Sequence, residues 1–310
     1  MLKIDHLRYF VAAAETGSFL AAASRVRISP SSISYAVDCL EDSLGTALFV
    51  RKAAAGVVLT NDGNRLLRRA KSLIHEMEDL ETRFGRHSGG LVGDLVVGCQ
   101  EGLTWTLAPH AFSIVKRDNP DLNISLKTIW LDTRFASLDN GEVDVLLTFL
   151  IGEKPPKHYA STLLCRPQVY ALMRKGHPLD NGKPVALQDL ANYPQVQMQD
   201  GPAFDYYYNM YRSIGAEPVV QTASNVSMCA QALIGRSDAV SLRIMRPSHT
   251  ISPLGDEIVY PLLTDQVTLS SLYAITVSDK KLEAGDKRYE FIQVCKEQFD
   301  NGEMKANFYY

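Results

Sequence analysis

No apolar run in these 310 residues approaches the length of about 20 that a membrane helix needs. The first residues carry no signal-peptide hydrophobic core, so the sequence predicts a cytoplasmic protein with no membrane partner. Cysteine is sparse. The five residues Cys39, Cys99, Cys165, Cys229 and Cys295 are scattered, with no CxxC pair and no metal-ligand spacing. That count excludes a disulfide scaffold and offers no metal site. The seven histidines have no partner carboxylate motif, and GxSxG, HExxH and a phosphate-cradling glycine loop are all missing. The sequence therefore gives no support for a catalytic residue, an enzyme or a cofactor. An excess of positive charge is missing too, since the chain carries a formal net charge of −3. Residues 1–90 hold 12 Lys and Arg against 10 Asp and Glu, while the remainder holds 20 against 25. Positive charge is local: Arg25 and Arg27, then Arg51 and Lys52, then Arg65, Arg68, Arg69 and Lys71.

What is present begins with Gly17 to Gly45. Ser18 can cap a short helix that buries Phe19, Ala22, Ala23 and Val26 at helical spacing. Arg27, Ile28 and Ser29 break it. Ser29 is a good N-cap and Pro30 suits the first helical position, where its missing N–H costs nothing. The second helix should bury Ile33, Val37, Leu40 and Leu44 and stop at Gly45, leaving Ser31, Ser32, Ser34, Tyr35 and Asp38 outward. Short hydroxyls and a tyrosine on the early turns suit a recognition helix entering a major groove. An ordinary helical hairpin fits the same pattern, so the flanks decide. Ahead, Ile4, Leu7, Phe10, Val11 and Ala14 form an apolar stripe that predicts a supporting helix. Behind, Ala47 to Thr60 reads as two short strands around Lys52 to Gly56. Three helices and a wing make a winged helix-turn-helix, whose expected partner is double-stranded DNA. Arg27, Ser29, Pro30, Ser31, Ser32, Ser34, Tyr35, Asp38, Arg51 and Lys52 are its candidate DNA-binding residues.

This N-terminal stretch resembles the LysR-type transcriptional regulators. The matching residues are Leu7, Phe10, Gly17, Ser18, Phe19, Ala22, Ala23, Ser34, Leu40, Glu41, Leu44, Gly45, Leu48, Phe49, Arg51, Leu59, Thr60 and Gly63. The chain departs where the family most often has Gln at the start of the recognition helix, here Ser29, and Arg-Gln after the serine, here Tyr35 and Ala36. Next comes a long predicted helix, Asn61 to Arg86, with apolar residues at Leu66, Ala70, Leu73, Met77, Leu80 and Phe84. That spacing is a heptad seam and predicts a dimer, although a helix lying on its own domain's core has the same period. His87 to Gly90 reads as a hinge. The resemblance implies a homotetramer built from two such dimers.

From Leu91 strands alternate with helices, and near-continuous apolar runs such as Val143 to Phe149 predict parallel sheets covered on both faces. This part resembles the family's effector-binding domain. The resemblance implies a periplasmic-binding-protein-like fold of two α/β lobes, on Gly141-Glu142-Val143-Asp144, His177-Pro178-Leu179 and Leu187 with Asp189-Leu190 and Pro194. The expected domains are residues 1–60 for DNA, 61–90 for the linker helix, and 91–310 for the effector. Within the last, lobe I is 91–165 with 267–310 and lobe II is 166–266. In such a fold the ligand lies outside the carboxyl ends of the strands, near helix N-termini. The residues there are Gln100, Glu101, Gly102, Thr104, Thr148 and Phe149 in one lobe, and Asp200, Gly201, Ser224 and Asn225 in the other. Thr104 and Ser224 also suit helix caps, and Glu101, which would repel an anionic ligand, either points away or meets an effector that carries a donor or positive group. A small-molecule effector of unknown identity is the predicted partner of this cleft. The alternatives are a cysteine-based redox sensor, with Cys99 or Cys229 as the reactive thiol, or an enzyme on a binding-protein fold.

Overall fold

Left-handed backbone at Gly17, Arg27 and Gly45 ends the first three helices and sets their angles. These are α1 (Ile4–Thr16), α2 (Phe19–Val26) and α3 (Pro30–Leu44). The computed structural model describes residues 2–52, 56–84, 90–197, 201–223, 226–264, 270–277 and 282–308. The chain divides into two units, residues 1–93 with 139–142 and residues 94–138 with 143–310. In the first, Ser18 caps α2 by accepting from the Ala21 amide, and Ser29 caps α3 by accepting from the Ser32 amide at 3.1 Å. Phe10, Ala13, Ala22, Ile33, Val37 and Leu40 fill the core between the three helices. Leu44 is not among them. It is 40% exposed, because the helix ends there and Glu41 closes that end instead. The Glu41 carboxylate accepts from the amides of Leu48 (2.6 Å) and Phe49 (3.2 Å).

Those amides open the wing, an antiparallel pair of β1 (Phe49–Lys52) and β2 (Gly56–Leu59). Gly56 has φ +83°, and a Cβ there would stand 2.1 Å from the Gly17 carbonyl oxygen. Only glycine lets the wing approach the helix pair so closely. The Val57 amide then donates to the same oxygen at 2.8 Å. The linker helix, α4 (Asn61–Phe84), does not present one seam. Ala70 is fully buried, and it packs with Leu66, Leu67 and Ile74 into the core of its own domain. Lys71 also pairs with Glu15 of α1 at 2.9 Å. Leu66 and Ala70 were expected at a dimer interface, but the helix lies over α1 there and they serve its core. The helix is long enough to do both, and Leu73, on the same expected seam, is 49% exposed. The Leu80 and Phe84 side chains lie outside the description.

The second unit opens with β3 (Gly93–Cys99), α5 (Leu107–Asp118), β4 (Leu122–Thr128), α6 (Arg134–Asp139), β5 (Val145–Ile151) and β6 (Tyr159–Cys165). The segment between β3 and β4 is not one continuous helix. Residues Glu101–Thr104 form a 3₁₀ turn, closed where the Thr104 hydroxyl donates to the Glu101 carbonyl at 2.6 Å. Thr106 repeats the bond to Gly102 at 2.8 Å, and α5 starts only at Leu107. Thr104 is therefore not a helix cap. After Cys165 the chain enters a second sheet through β7 (Tyr170–Arg174), α7 (Leu187–Leu190), β8 (Gln195–Gln197), α8 (Gly201–Ser213), β9 (Val220–Ala223), α9 (Ser227–Gly235), β10 (Ser241–Arg243) and β11 (Ile258–Val259). It returns through β12 (Ser270–Val277) and α10 (Lys287–Asp300).

The first lobe is a five-stranded sheet in the order β4-β3-β5-β12-β6. It is mixed rather than parallel. β3 and β5 run parallel, but β12 pairs antiparallel with both β5 and β6 because the chain re-enters from the other lobe. The second lobe holds the antiparallel order β10-β7-β11 and the parallel pair β8-β9. β5 is the central strand, with six consecutive buried residues, which accounts for its near-continuous apolar sequence.

Candidate functional sites: a DNA-reading surface and a cleft between two lobes

The exposed start of α3 is a network of serines. Ser29 Oγ, already the cap, lies 2.8 Å from both Ser31 Oγ and Ser32 Oγ. The cap expected at Ser29 is present, and Ser29, Ser31 and Ser32 all lie on the open face. Tyr35 projects from the next turn at 67% exposure, its ring edge-on to His6 at 6.3 Å. The Cys39 thiol beside it holds the phenol above its ordinary value, so Tyr35 presents an O–H. A shallow depression of about 500 Å³ runs between α1 and α3, lined by His6, Tyr9, Ile28, Ser31, Ser32, Tyr35 and Ala36. His6 and Tyr9 were not expected at this surface, because the α1 stripe marks only that helix's buried side.

Asp38 is corrected. It accepts from Arg51 of the wing at 2.5 Å, and Ser34 Oγ lies 3.4 Å from its other oxygen. A carboxylate so placed holds the wing arginine in position and would repel a phosphate. Arg51 further stacks over the Phe19 ring at 5.5 Å. Arg27 is exposed at the turn between the helices. Lys52 ends β1, and its side chain lies outside the description, as do residues 53–55 of the wing tip.

In the second unit, Gln100 gathers the end of β5. Its Oε1 accepts from Thr148 Oγ1 (3.3 Å) and from the Phe149 amide (3.1 Å). Thr148 and Phe149 are both buried, with the Phe149 ring against Phe308. They were expected to line the cleft, but buried strand positions face the core and they support Gln100 from behind. Gly102 meets the second lobe directly, since a Cβ there would stand 1.9 Å from Met245 Cε. Glu101 does not point away. Its carboxyl faces Trp105 in its own lobe, and the Ser227 amide at the start of α9 and Arg243 at the end of β10 in the other. Burial pushes this carboxyl above the usual range, against the lowering effect of those neighbours. Gly201 begins α8. Asp200, Ser224 and Asn225 lie outside the described residues. The cap of α9 is Val226, which makes no side-chain bond to the helix.

Arg243 was not anticipated, although a charge closing the apolar run Ala239-Val240-Ser241-Leu242 was a usable signal. It is only 7% exposed. Its Nη1 donates to the Leu242 carbonyl at 2.9 Å, while Nε and Nη2 have no hydrogen-bond partner among the described residues. The Trp105 indole N–H and the Tyr260 hydroxyl are buried and unpartnered as well. Tyr207 and Tyr260 both lie near the guanidinium. On α8, Tyr206, Tyr207 and Tyr211 are buried, and Tyr211 donates to Gln195 at 2.8 Å. The thiol reading fares worse. Cys99 is buried and its pKa is pushed up to about 12, so it holds no thiolate near neutrality. Cys165 and Cys295 are raised by burial too, and Cys229 is exposed on α9.

A helix-turn-helix with a wing, followed by two α/β lobes, is the architecture of a DNA-binding transcriptional regulator. Residues 4–64 match the model of the bacterial regulatory helix-turn-helix proteins of the lysR family, and residues 88–300 match the LysR substrate binding domain. The chain belongs to the LysR family of transcriptional regulators. It is 26% identical over 245 residues to the uncharacterized regulator YnfL of Escherichia coli, covering 78% of this chain and 82% of that protein. It is 27% identical over 221 residues to a probable nitrogen assimilation transcriptional activator of Synechococcus elongatus, covering 70% of each. Among solved structures, HinK, a LysR family regulator of Pseudomonas aeruginosa, aligns with a TM-score of 0.61 at 25% identity over 96% of this chain and 99% of that one. A full-length OxyR variant of the same species, with one cysteine replaced by aspartate, aligns at 0.70 with 21% identity over 96% and 97%, a likeness of fold.

Proposed function

We propose that this regulator binds double-stranded promoter DNA through Ser31, Ser32, Ser34 and Tyr35, with Arg27, Arg51 and Lys52 on the phosphates. A small-molecule effector held between the two lobes controls that binding. The chain acts as a dimer through the Leu73 and Met77 part of α4, assembled into a tetramer, in the cytoplasm and without a metal or cofactor besides the effector. One observation carries the effector reading. Buried polar groups are nearly always hydrogen-bonded, yet Arg243, Trp105 and Tyr260 carry buried donors with no partner among the described residues. A polar ligand satisfies them. Contacts from both lobes also supply the different affinity for two conformations that any control requires.

The test is a metabolite screen on the full chain, read by melting temperature and by anisotropy on promoter-derived DNA. A ligand that binds the folded state raises its stability by mass action. The expected result is at least one compound that shifts both readings together. Compounds that shift melting while leaving DNA binding untouched would contradict the control. A cysteine-based reading would need mild peroxide to change DNA affinity, and the raised Cys99 thiol argues that it does not.

A further inference from the structure

The depression between α1 and α3 has a lining unlike the rest of the reading surface. No lysine, arginine or carboxylate lines it, so its chemistry is that of apolar faces and hydroxyls rather than of a phosphate seat. Ala36 is only 1% exposed and carries no more than a methyl, so the space between the two helices stays open. Ile28 and Tyr9 are half-buried and pack on the core of the winged domain, which holds them in place. The His6 ring meets the exposed Tyr35 ring at 77°, and two rings at that angle form a corner. Ser31 and Ser32 bring exposed hydroxyls, both steadied by Ser29. The Tyr35 phenol keeps its proton beside Cys39 and is a donor to any acceptor that arrives.

We propose that this depression seats the edge of one thymine in the major groove, with His6 and Tyr9 of α1 as specificity-determining residues beside Tyr35 of α3. This rests on the promoter-binding reading above and names part of the sequence that is read. Among the major-groove edges of the four bases, only thymine sets a methyl group beside a hydrogen-bond acceptor, O4. Adenine, guanine and cytosine show no methyl there. The C5-methyl lies against the rings and Ile28, while O4 accepts from a hydroxyl of Tyr35 or of the serines. A phosphate would find no cation in the depression, and its charge is met instead by Arg27, Arg51 and Lys52 around it.

The experiment uses a duplex that the full chain enriches from a random pool, with each thymine replaced in turn by deoxyuridine, which lacks only the methyl. Anisotropy compares wild type with His6→Ala, His6→Phe, Tyr9→Phe and Tyr35→Ala. In wild type one thymine of a half-site should lose about fourfold in affinity on demethylation, the worth of one buried methyl. At that position 5-methylcytosine should bind better than cytosine by a similar factor. His6→Ala and Tyr35→Ala should erase the preference for the methyl, whereas His6→Phe and Tyr9→Phe, which keep a ring, should retain it. The preference is a ratio between two duplexes on one protein sample, so partial misfolding cannot imitate its loss. A selected duplex with no thymine sensitive to demethylation would overturn the proposal and leave promoter binding standing. A full methyl preference in His6→Ala, or a His6→Ala that weakens selected and random DNA alike with a flatter salt slope, would overturn it too, the latter making His6 a phosphate contact. If the chain enriches no sequence, the promoter-binding reading falls with it.

Discussion

The reading surface and the cleft use polar groups in opposite ways. On α3 and the wing, the polar side chains are exposed and paired among themselves, Ser29 with Ser31 and Ser32, and Arg51 with Asp38. An exposed ion pair is worth only about 0.2–1 kcal/mol, so DNA can exchange these bonds at small cost. In the second unit several polar groups are buried without a partner among the described residues. There a missing bond costs about 1–3 kcal/mol per group, so a ligand that supplies it gains affinity and selectivity together. DNA binding is thus built for exchange and ligand binding for completion.

Substitutions break this comparison by degrees. The largest effect belongs to the shared core. Ala70→Asp buries an unpaired charge among Phe10, Ile33 and Leu48 and should cost about 3–5 kcal/mol, read as loss of the winged domain's unfolding transition and of DNA binding. Gly56→Val should follow, because a Cβ meets the Gly17 carbonyl at positive φ. A cost of about 3 kcal/mol or more and a failed wing are expected by denaturant titration. Leu73→Asp is a contrast, since Leu73 is half exposed. The fold should persist while sedimentation shows monomers and DNA affinity falls about tenfold or more through the lost second half-site. An intact dimer would place α4 wholly in the service of its own domain.

The smallest effect is on pH. The Glu101 carboxyl sits above its ordinary value in the folded state, so folding takes up a proton there as pH falls. Its contribution to stability is largest in acid and is lost as pH rises through the raised value. Glu101→Gln should therefore gain stability over wild type at neutral pH, with the gain vanishing near the ordinary carboxylate range. A constant gain at every pH would assign the effect to packing.

Most of the winged domain was legible because its signals are local. Ser18, Ser29-Pro30, Gly17 and Gly45 punctuate helices within a few residues of where they act. What failed there was non-local. The period of α4 is the same whether Ala70 faces a partner or its own core, and only the position of α1 decides it. The early turns of α3 do not reveal that Asp38 is committed to Arg51, thirteen residues away in the wing. The cleft was legible in outline, as stretches after strands, but not in detail. Gln100 finds Thr148 and Phe149 through a parallel pairing of β3 and β5 that no local pattern encodes. Gly102 packs against Met245 only because two segments distant in sequence come together. Strand β6 is a half-buried edge strand whose weak alternation leaves no clear period in the sequence.

The claim that α3 reads bases while the wing holds the backbone is tested most directly by a salt titration. Tyr35→Ala, Arg51→Ala and Asp38→Asn are compared with wild type by anisotropy on promoter-derived and random DNA. Tyr35→Ala should lose about 1–3 kcal/mol on the promoter alone. Arg51→Ala should weaken both DNAs and flatten the salt slope by about 0.9 per lost phosphate contact. Asp38→Asn, which removes a carboxylate from the same surface, should strengthen both. If Tyr35→Ala and Arg51→Ala lose promoter and random DNA equally, with the same salt slope, the assignment is contradicted.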